Sequence, residues 1–493
     1  MDLNPTESIA YYWPELVLGL TALAVWVIDL FEARKDRLGE VALFGAALSV
    51  FLASRLVGWG EGWIFDRMLI VDGFAIFFKI LLGLATLAVL WMSLESNEIR
   101  HNNEGEYYGL ILCSAIAMYT MAAAANLLMA YLGLEFVSLT SYILTGYLRR
   151  NRRSGEAALK YLIYGGVASG AMIYGMSWIY GLTGSMDYAH INQALASLPP
   201  GNQLAVFIAL VLIMVGFGYK IAAVPFHMWA PDAYEGAPIP VTTFLAIGSK
   251  AAGFALLMRF FYPAISHSGE HGTWTAIAGV DWPQMLLVLC MVTMTLGNLA
   301  ALSQTNVKRL LAYSSIAHAG YVLMGFVLLT DDGLRAMLFY LLAYYLMNLG
   351  AFLVVLVVAN STGRDDVASF RGLAWRGGIF PAVAMAIFLF SLTGLPPFVG
   401  FVGKFFLFAA VVKADFYLLA LVGLANSVVA LYYYARIVRT MFLDFPTGDE
   451  PTVEVGIYNG FLMGVLASAT VVFGIYWTPL ITFADRSIRF FRG

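Results

Sequence analysis

The chain has 493 residues, 61% of them hydrophobic and only 12% charged, with a formal net charge of -3. That composition excludes a water-soluble globule around one apolar core and points to an all-α polytopic membrane protein, a bundle of helices packed in lipid. The near-neutral charge gives no sign of a nucleic-acid partner.

In chain order, the N-terminus carries Asp2 and Glu7 in place of a basic leader region, so the first apolar run is expected to be retained. About fourteen spans are predicted, near 12–31, 38–58, 70–94, 107–124, 127–148, 156–182, 204–223, 240–263, 284–303, 307–329, 333–360, 379–410, 416–442 and 456–480. Basic connections fall near Arg34, Lys35 and Arg37, near Arg149, Arg150, Arg152 and Arg153, and near Arg364, Arg371 and Arg376. All three lie on one side in this count. The positive-inside rule makes that side cytoplasmic and puts both termini on the other face. The arginines after span five suit a partner or anionic lipid as well, but topology alone accounts for them. Cys113 and Cys290 fall in apolar spans and read as small buried hydrophobes, with neither a disulfide framework nor a metal site supported. Gly165, Gly166 and Gly170 read as close helix packing.

The seventh and twelfth spans are interrupted. One runs through Gly216, Gly218, Lys220, Pro225, His227 and Pro231; the other through Gly394, Pro396, Pro397, Gly400, Gly403 and Lys404. Proline removes a backbone donor and clashes with the preceding turn, and glycine permits a break, so both helices should open part-way. Unwound backbone at membrane depth is tolerated only where protein encloses it or it lines a watery cavity. The two spans are five apart and so run in opposite directions. That is the arrangement of inverted repeats, here spans four to eight within 106–265 and nine to thirteen within 282–443, flanked by 1–105 and 444–493.

Charge inside a span marks an ion pathway by default. Glu135, Lys160, Lys220, Lys250 and Lys404 are such charges. Burial disfavours an ammonium and a nearby carboxylate restores it, so a buried lysine's proton affinity follows the position of that carboxylate. Glu135 has no basic neighbour in sequence and needs a cation from another helix, for which Lys220 is the candidate. A glutamate and a line of lysines then form a proton relay with an electrostatic switch. Structural ion pairs with snorkelling lysines are the alternative; snorkelling suits Lys160 and Lys308, near helix starts, better than Glu135, Lys250 or Lys404. His318 is placed among hydroxyls to pass a proton between Lys250 and Lys404, and equally to serve as a hydrogen-bonded structural residue; the sequence leaves both open. His227 follows the first break and is expected to shape the cytoplasmic mouth, whereas His101, His190, His267 and His271 read as loop residues.

The runs Pro225–Thr242, with Asp232, Glu235 and Pro238, Gln304–Tyr321, with Lys308 and His318, and Gly394–Phe405, with Lys404, resemble the antiporter-like subunits of respiratory complex I, most closely the N type, over essentially the whole chain. The resemblance implies fourteen helices in two inverted five-helix repeats, with proton-pathway positions at Glu135, Lys160, Lys220, Lys250, His318 and Lys404. Lysine at 404 separates the chain from the similar M type, which carries glutamate there, and the end soon after span fourteen separates it from the L type with its long lateral helix. It further implies a proton pump module of the bacterial inner membrane without redox chemistry of its own. NAD, FMN, iron–sulfur clusters and quinone would belong to other subunits, and its partners would be an M-type subunit, small hydrophobic subunits and lipids. A multisubunit cation/proton antiporter shares the relay and is the nearest alternative; the Asp232–Pro238 stretch favours complex I. A non-pumping structural anchor is the other.

Overall fold

The computed structural model describes residues 2–31, 36–100, 103–277, 280–446, 448 and 450–488, so the predicted basic positions Arg34 and Lys35, and His101, lie outside the described residues. It is built of helices α1 (Pro5–Tyr11), α2 (Trp13–Phe31), α3 (Asp36–Arg55), α4 (Gly73–Ser93), α5 (Glu104–Ala123), α6 (Leu127–Thr145), α7 (Arg152–Thr183), α8 (Tyr188–Ala196), α9 (Gln203–Ile221), α10 (Trp229–Gly236), α11 (Ile239–Phe244), α12 (Lys250–Ile265), α13 (Trp282–Leu302), α14 (Val307–Phe326), α15 (Asp331–Thr362), α16 (Ile379–Thr393), α17 (Val399–Lys413), α18 (Tyr417–Phe442), α19 (Ile457–Ile475) and α20 (Thr478–Ser487). Two short hairpins, β1 (Gly62–Ile64) with β2 (Leu69–Val71) and β3 (Ser266–Ser268) with β4 (Trp274–Ala276), fill connections.

Among the described residues, eleven helical segments are long and apolar enough to cross a membrane, with α11, a π turn at Leu245–Ser249 and α12 counting as one. The 20-residue α5 and α14, richer in polar residues, and the interrupted pair α16 and α17 complete the fourteen predicted crossings. The segment Ile239–Ile265 is wholly enclosed, and α15 and α4 are mostly so, whereas α2 is 28% buried. The core therefore lies where the first repeat meets the second.

The repeats match in detail. The side chain of Asn126 caps α6 and that of Asn306 caps α14. Each capping asparagine bridges to an aspartate beyond a 32-residue helix: Asn126 to Asp187 after α7, and Asn306 to Asp366 after α15. Both long helices end on a left-handed glycine, Gly184 and Gly363. Both broken helices carry a cis X-Pro bond, Val224–Pro225 and Pro396–Pro397, just after a left-handed residue, Ala222 and Gly394. The connections holding Arg153 and Arg364 lie at one end of the bundle, where both line a polar cavity with Glu98, Glu235, Lys308 and Asp365.

Two ion pairs that the sequence reading passed over stitch the N-terminal helices to this core. Lys79 of α4 meets Glu15 of α2 at 2.7 Å with both side chains fully buried. Arg259 of α12 grips Asp72, the cap of α4, through both terminal nitrogens, with Nη1 2.6 Å from Oδ2, while its Nε donates to the Ala122 carbonyl at 2.9 Å. The small-residue expectation holds only in part. Gly165 abuts the Tyr142 hydroxyl, but a Cβ on Gly166 or Gly170 would meet nothing within 4 Å, so these two face outward.

Removing the Asp72 carboxylate would take the bidentate counter-charge from a buried guanidinium. Asp72→Ala should therefore destabilise the protein by about 3–5 kcal/mol, seen as a lower thermal midpoint in detergent; an unchanged midpoint would contradict it.

Candidate functional site

At the first break, α9 stops because Pro225 has no amide to donate and Ala222 turns left-handed at φ 56°. The freed groups find protein partners. Ala223 N donates to the Gly218 carbonyl at 2.8 Å, Val224 N to Thr293 Oγ1 of α13 at 3.0 Å, and Trp229 Nε1 to the Tyr219 carbonyl at 2.9 Å. Lys220 stands in the last turn of α9, where the helix dipole favours a cation, and its Nζ donates to Ser138 Oγ of α6 at 3.2 Å. Glu135 lies one turn earlier on α6, half-buried, and accepts a short hydrogen bond from Ser169 of α7. The expected Glu135–Lys220 ion pair is thus corrected: no such pair forms within 4 Å. Residues three apart on a helix are offset around its axis, and it is Ser138 that α6 turns toward α9 while Glu135 meets α7.

The second break holds Lys404 more tightly. Its Nζ donates to the Thr393 carbonyl at the end of α16 (2.8 Å) and to Ser427 Oγ of α18 (3.2 Å), and lies 4.5 Å from the centre of the Tyr321 ring. Gly394 has φ 91°, and a Cβ there would sit 2.8 Å from Lys404 Cδ, so glycine is required both for the turn and for room.

Between the breaks, Lys250 opens α12 directly after the π turn; its Nζ makes a short hydrogen bond to Ser315 of α14 and stands 5.9 Å from the Tyr234 ring centre. His318, three residues on from Ser315, contacts Tyr340 Oη through Nδ1 (2.6 Å) and Tyr434 Oη through Nε2 (3.3 Å). A small cavity joins Lys250, Ser315, His318 and Tyr344. One turn further, the Tyr321 hydroxyl lies 2.9 Å from Ser427 Oγ, which also holds Lys404. The i, i+3, i+6 series Ser315, His318, Tyr321 therefore leads from Lys250 to Lys404. Lys220 and Lys250 share no hydrogen-bond partner. Counted from the capping asparagines, Ser315 occupies the place of Glu135, and His318 that of Ser138.

Lys160 stands apart from this axis. Its head, 41% exposed, is 2.8 Å from both Glu156 and Asp232, and Arg309 joins the same Asp232 and, at 3.0 Å, Glu235. The snorkelling expectation fails for Lys308, which is buried, donates to the Ala237 carbonyl at 3.1 Å and pairs with Asp365 at 3.1 Å. Asp232 and Glu235 went unassigned in the sequence reading, although their i, i+3 spacing on an apolar background marks one charged helix face. His227 is buried at the first break, and His190 and His267 lie in α8 and β3, between the spans. Among the described residues, no group of three or more His, Cys, Asp or Glu is placed to hold a metal ion.

What the groups from Lys250 to Lys404 can do is hold and pass protons, through ammonium, imidazole and hydroxyl groups set close together in an enclosed region. A methyl group at position 394 would strain the turn and push Lys404 from the Thr393 carbonyl. Gly394→Ala should cost about 1–2 kcal/mol and lower proton translocation by the assembled protein; normal translocation would show that Lys404 does not need this seat.

Residues 124–430 match the model of the NADH:quinone oxidoreductase/Mrp antiporter transmembrane family. The chain is 44% identical to NADH-quinone oxidoreductase subunit N of Anaeromyxobacter sp. (strain Fw109-5), covering 99% of this chain and 98% of that one. A chain of respiratory complex I from Thermus thermophilus superposes with a TM-score of 0.80 at 30% identity, covering 96% of this chain and 99% of its own length. A chain of the Mrp complex from Dietzia sp. DQ12-45-1b, 20% identical with 98% of each chain covered, shares the fold with a TM-score of 0.83. The chain belongs to the NADH:quinone oxidoreductase/Mrp antiporter family.

Proposed function

We propose that this chain is a proton-translocating membrane-arm subunit of NADH:quinone oxidoreductase, coupling quinone reduction elsewhere in the complex to proton movement through Lys220, Lys250, His318 and Lys404. The observation that carries this reading is the enclosed file itself. Three buried lysines lie at or between two helix breaks, held by hydroxyls and carbonyls, with Ser315, His318 and Tyr321 spaced along one face of α14 between Lys250 and Lys404. Glu135, a turn away from the serine that holds Lys220, acts as the electrostatic switch, and Lys160 belongs to the uptake end with Asp232. Protons enter from the end where Arg153 and Arg364 gather, which the positive-inside rule makes cytoplasmic, and leave beyond Lys404; both termini then lie on the outer face of a bacterial inner membrane. Residues 106–265 and 282–443 act as the two inverted units.

The redox groups, NAD, FMN and iron–sulfur clusters, are assigned to other subunits, with quinone at their junction with the membrane arm. The flanking partners are an M-type antiporter-like subunit and small hydrophobic subunits, with lipid around them. The Dietzia likeness makes a cation/proton antiporter the second reading, but the 44% identity over the full length is to an oxidoreductase subunit.

The test uses the assembled oxidoreductase in sealed vesicles, with proton translocation and quinone reduction followed together. Lys404→Ala should lower translocation roughly a hundredfold, the scale of one positioned proton carrier, and Lys404→Glu should keep part of it because a titratable group remains. Full pumping by Lys404→Ala would remove the residue from the path.

Glu135→Ala should depress pumping and quinone reduction together while assembly survives, since its hydrogen bond to Ser169 is one of many contacts between α6 and α7. Glu135→Asp should do less harm. Parental activity in Glu135→Ala would leave the carboxylate without a role.

A further inference from the structure

We propose that Tyr340 of α15 is a positioning residue that sets the tautomer of His318, holding the ring proton on Nε2 and keeping Nδ1 as a hydrogen-bond acceptor; this rests on the relay reading above. His318 is buried, and each ring nitrogen meets one tyrosine: Nδ1 lies 2.6 Å from Tyr340 Oη, and Nε2 lies 3.3 Å from Tyr434 Oη of α18. A neutral imidazole has one donor and one acceptor nitrogen, so the two contacts differ in direction. Distance alone leaves two tautomers. The protons around the ring decide between them.

On the Tyr434 side, a chain of polar groups is anchored at its far end. Asn298 of α13 donates from Nδ2 to the Met294 carbonyl at 2.9 Å, and because a carbonyl only accepts, that contact settles which end of the amide faces Tyr433 of α18. Tyr433 therefore donates to Asn298 Oδ1, 2.9 Å away. With its own proton committed, the Tyr433 oxygen can accept from Ser314 of α14 or from Tyr434, both of which hydrogen-bond to it, and Ser314 and Tyr434 share a short hydrogen bond of their own. Every proton on this side finds an acceptor whichever nitrogen of His318 is protonated.

Tyr340 has no such freedom. Its hydroxyl is fully buried, and among the described residues its one hydrogen-bond partner is His318 Nδ1. Were Nδ1 protonated, it would donate to Tyr340 and leave the tyrosine proton unpaired in the interior, which costs stability and is uncommon in native cores. With the ring proton on Nε2, Tyr340 donates to Nδ1, Nε2 donates to Tyr434, and no proton is left over. The tyrosine is also held in place, since a Cβ on Gly403 of α17 would sit 2.8 Å from Tyr340 Cδ2, so its ring rests against the turn that carries Lys404. His318 is thus presented with Nδ1 capped. It can take a second proton there only when the Tyr340 hydroxyl turns away.

The experiment uses the assembled oxidoreductase with isotopically labelled histidine, taking the ring-nitrogen resonances of His318 as the difference between parent and His318→Gln spectra, and follows pumping per assembled complex in sealed vesicles. The expected parent spectrum has the proton on Nε2. Tyr340→Phe should assemble normally, show a mixture of the two tautomers and pump about tenfold less, the scale of one buried hydrogen bond. A parent spectrum with the proton on Nδ1 would overturn the assignment, and so would Tyr340→Phe with an unchanged tautomer or with parental pumping. Failure of Tyr340→Phe to assemble would overturn the positioning role too, because the hydroxyl would then be carrying structure; the parent spectrum tests the tautomer in that case as well. His318→Gln separates this proposal from the reading beneath it. If His318→Gln pumps like the parent, the relay reading fails at His318; if it is impaired while Tyr340→Phe pumps normally, only the role of the tyrosine is wrong.

Discussion

An ammonium group far from water needs several oxygen dipoles within reach, and an unbroken helix offers none, because its carbonyls are already committed. The fold answers that constraint twice. At Lys404 the end of α16 presents the uncommitted Thr393 carbonyl, and Ser427 and the face of Tyr321 complete the shell. At Lys220 the helix ends one residue later, so its dipole is aimed at the charge and Ser138 supplies the contact. Interrupting a helix in lipid is itself costly, and the cost is contained by groups from other elements. Thr293 reaches across from the second repeat to take the amide of Val224, and Ser391 takes that of Gly400. The two halves of the chain are therefore tied together at the first break, beside Lys220.

The repeats supply one scaffold with two chemistries. The position nine residues after the capping asparagine is Glu135 in the first unit and Ser315 in the second, and the position a turn later is Ser138 or His318. In the first unit a carboxylate and a hydroxyl sit near Lys220; in the second, a hydroxyl and an imidazole sit near Lys250, which the first unit supplies. A fixed negative charge changes the proton affinity of its neighbours, whereas an imidazole can itself carry the proton. Exchange of two residue types at equivalent places thus gives the two units different side-chain chemistry on the same backbone.

Much of this was legible in the sequence. The apolar runs located the fourteen crossings within a few residues, and the Gly and Pro clusters located both breaks, since these depend on local composition alone. Lys220, Lys250, His318 and Lys404, proposed above as the relay, were legible as polar groups in apolar surroundings. Their partners were not. Whether Glu135 meets Lys220 or Ser169 depends on the rotation of α6 against α7 and α9, and Ser138 beside it has no feature in sequence that sets it apart from other serines. Lys308 was misread for a related reason: a lysine at a helix start is free to snorkel only if nothing covers it, and here α10 and the loop bearing Asp365 do. Glu15, Lys79 and Arg259 carried the same signal as the relay lysines but were passed over, because each lies near an end of its helix or in a run so apolar that the charge is diluted.

The buried and half-buried cations fall into two kinds, and the division explains how the protein keeps its charge where it is wanted. Lys79, Arg259, Lys160 and Lys308 each have a carboxylate within about hydrogen-bonding reach. Such pairs hold two elements together, and breaking one removes a counter-charge in low dielectric. They lie at seams: α2 to α4, α4 to α12, α7 to α10, and α14 to the loop after α15. Lys220, Lys250 and Lys404 have hydroxyls, a carbonyl and ring faces, with no carboxylate within 4 Å among the described residues. Neutral dipoles stabilise an ammonium without holding it in place as a counter-charge would, so either protonation state can be accommodated and the balance responds to distant charge. A carboxylate placed 2.8 Å from Lys220, as Asp232 is from Lys160, would lock the proton. Keeping Glu135 a helix turn away from the Lys220 contact, bonded to Ser169, leaves its field felt and its grip absent, which is the condition a switch requires.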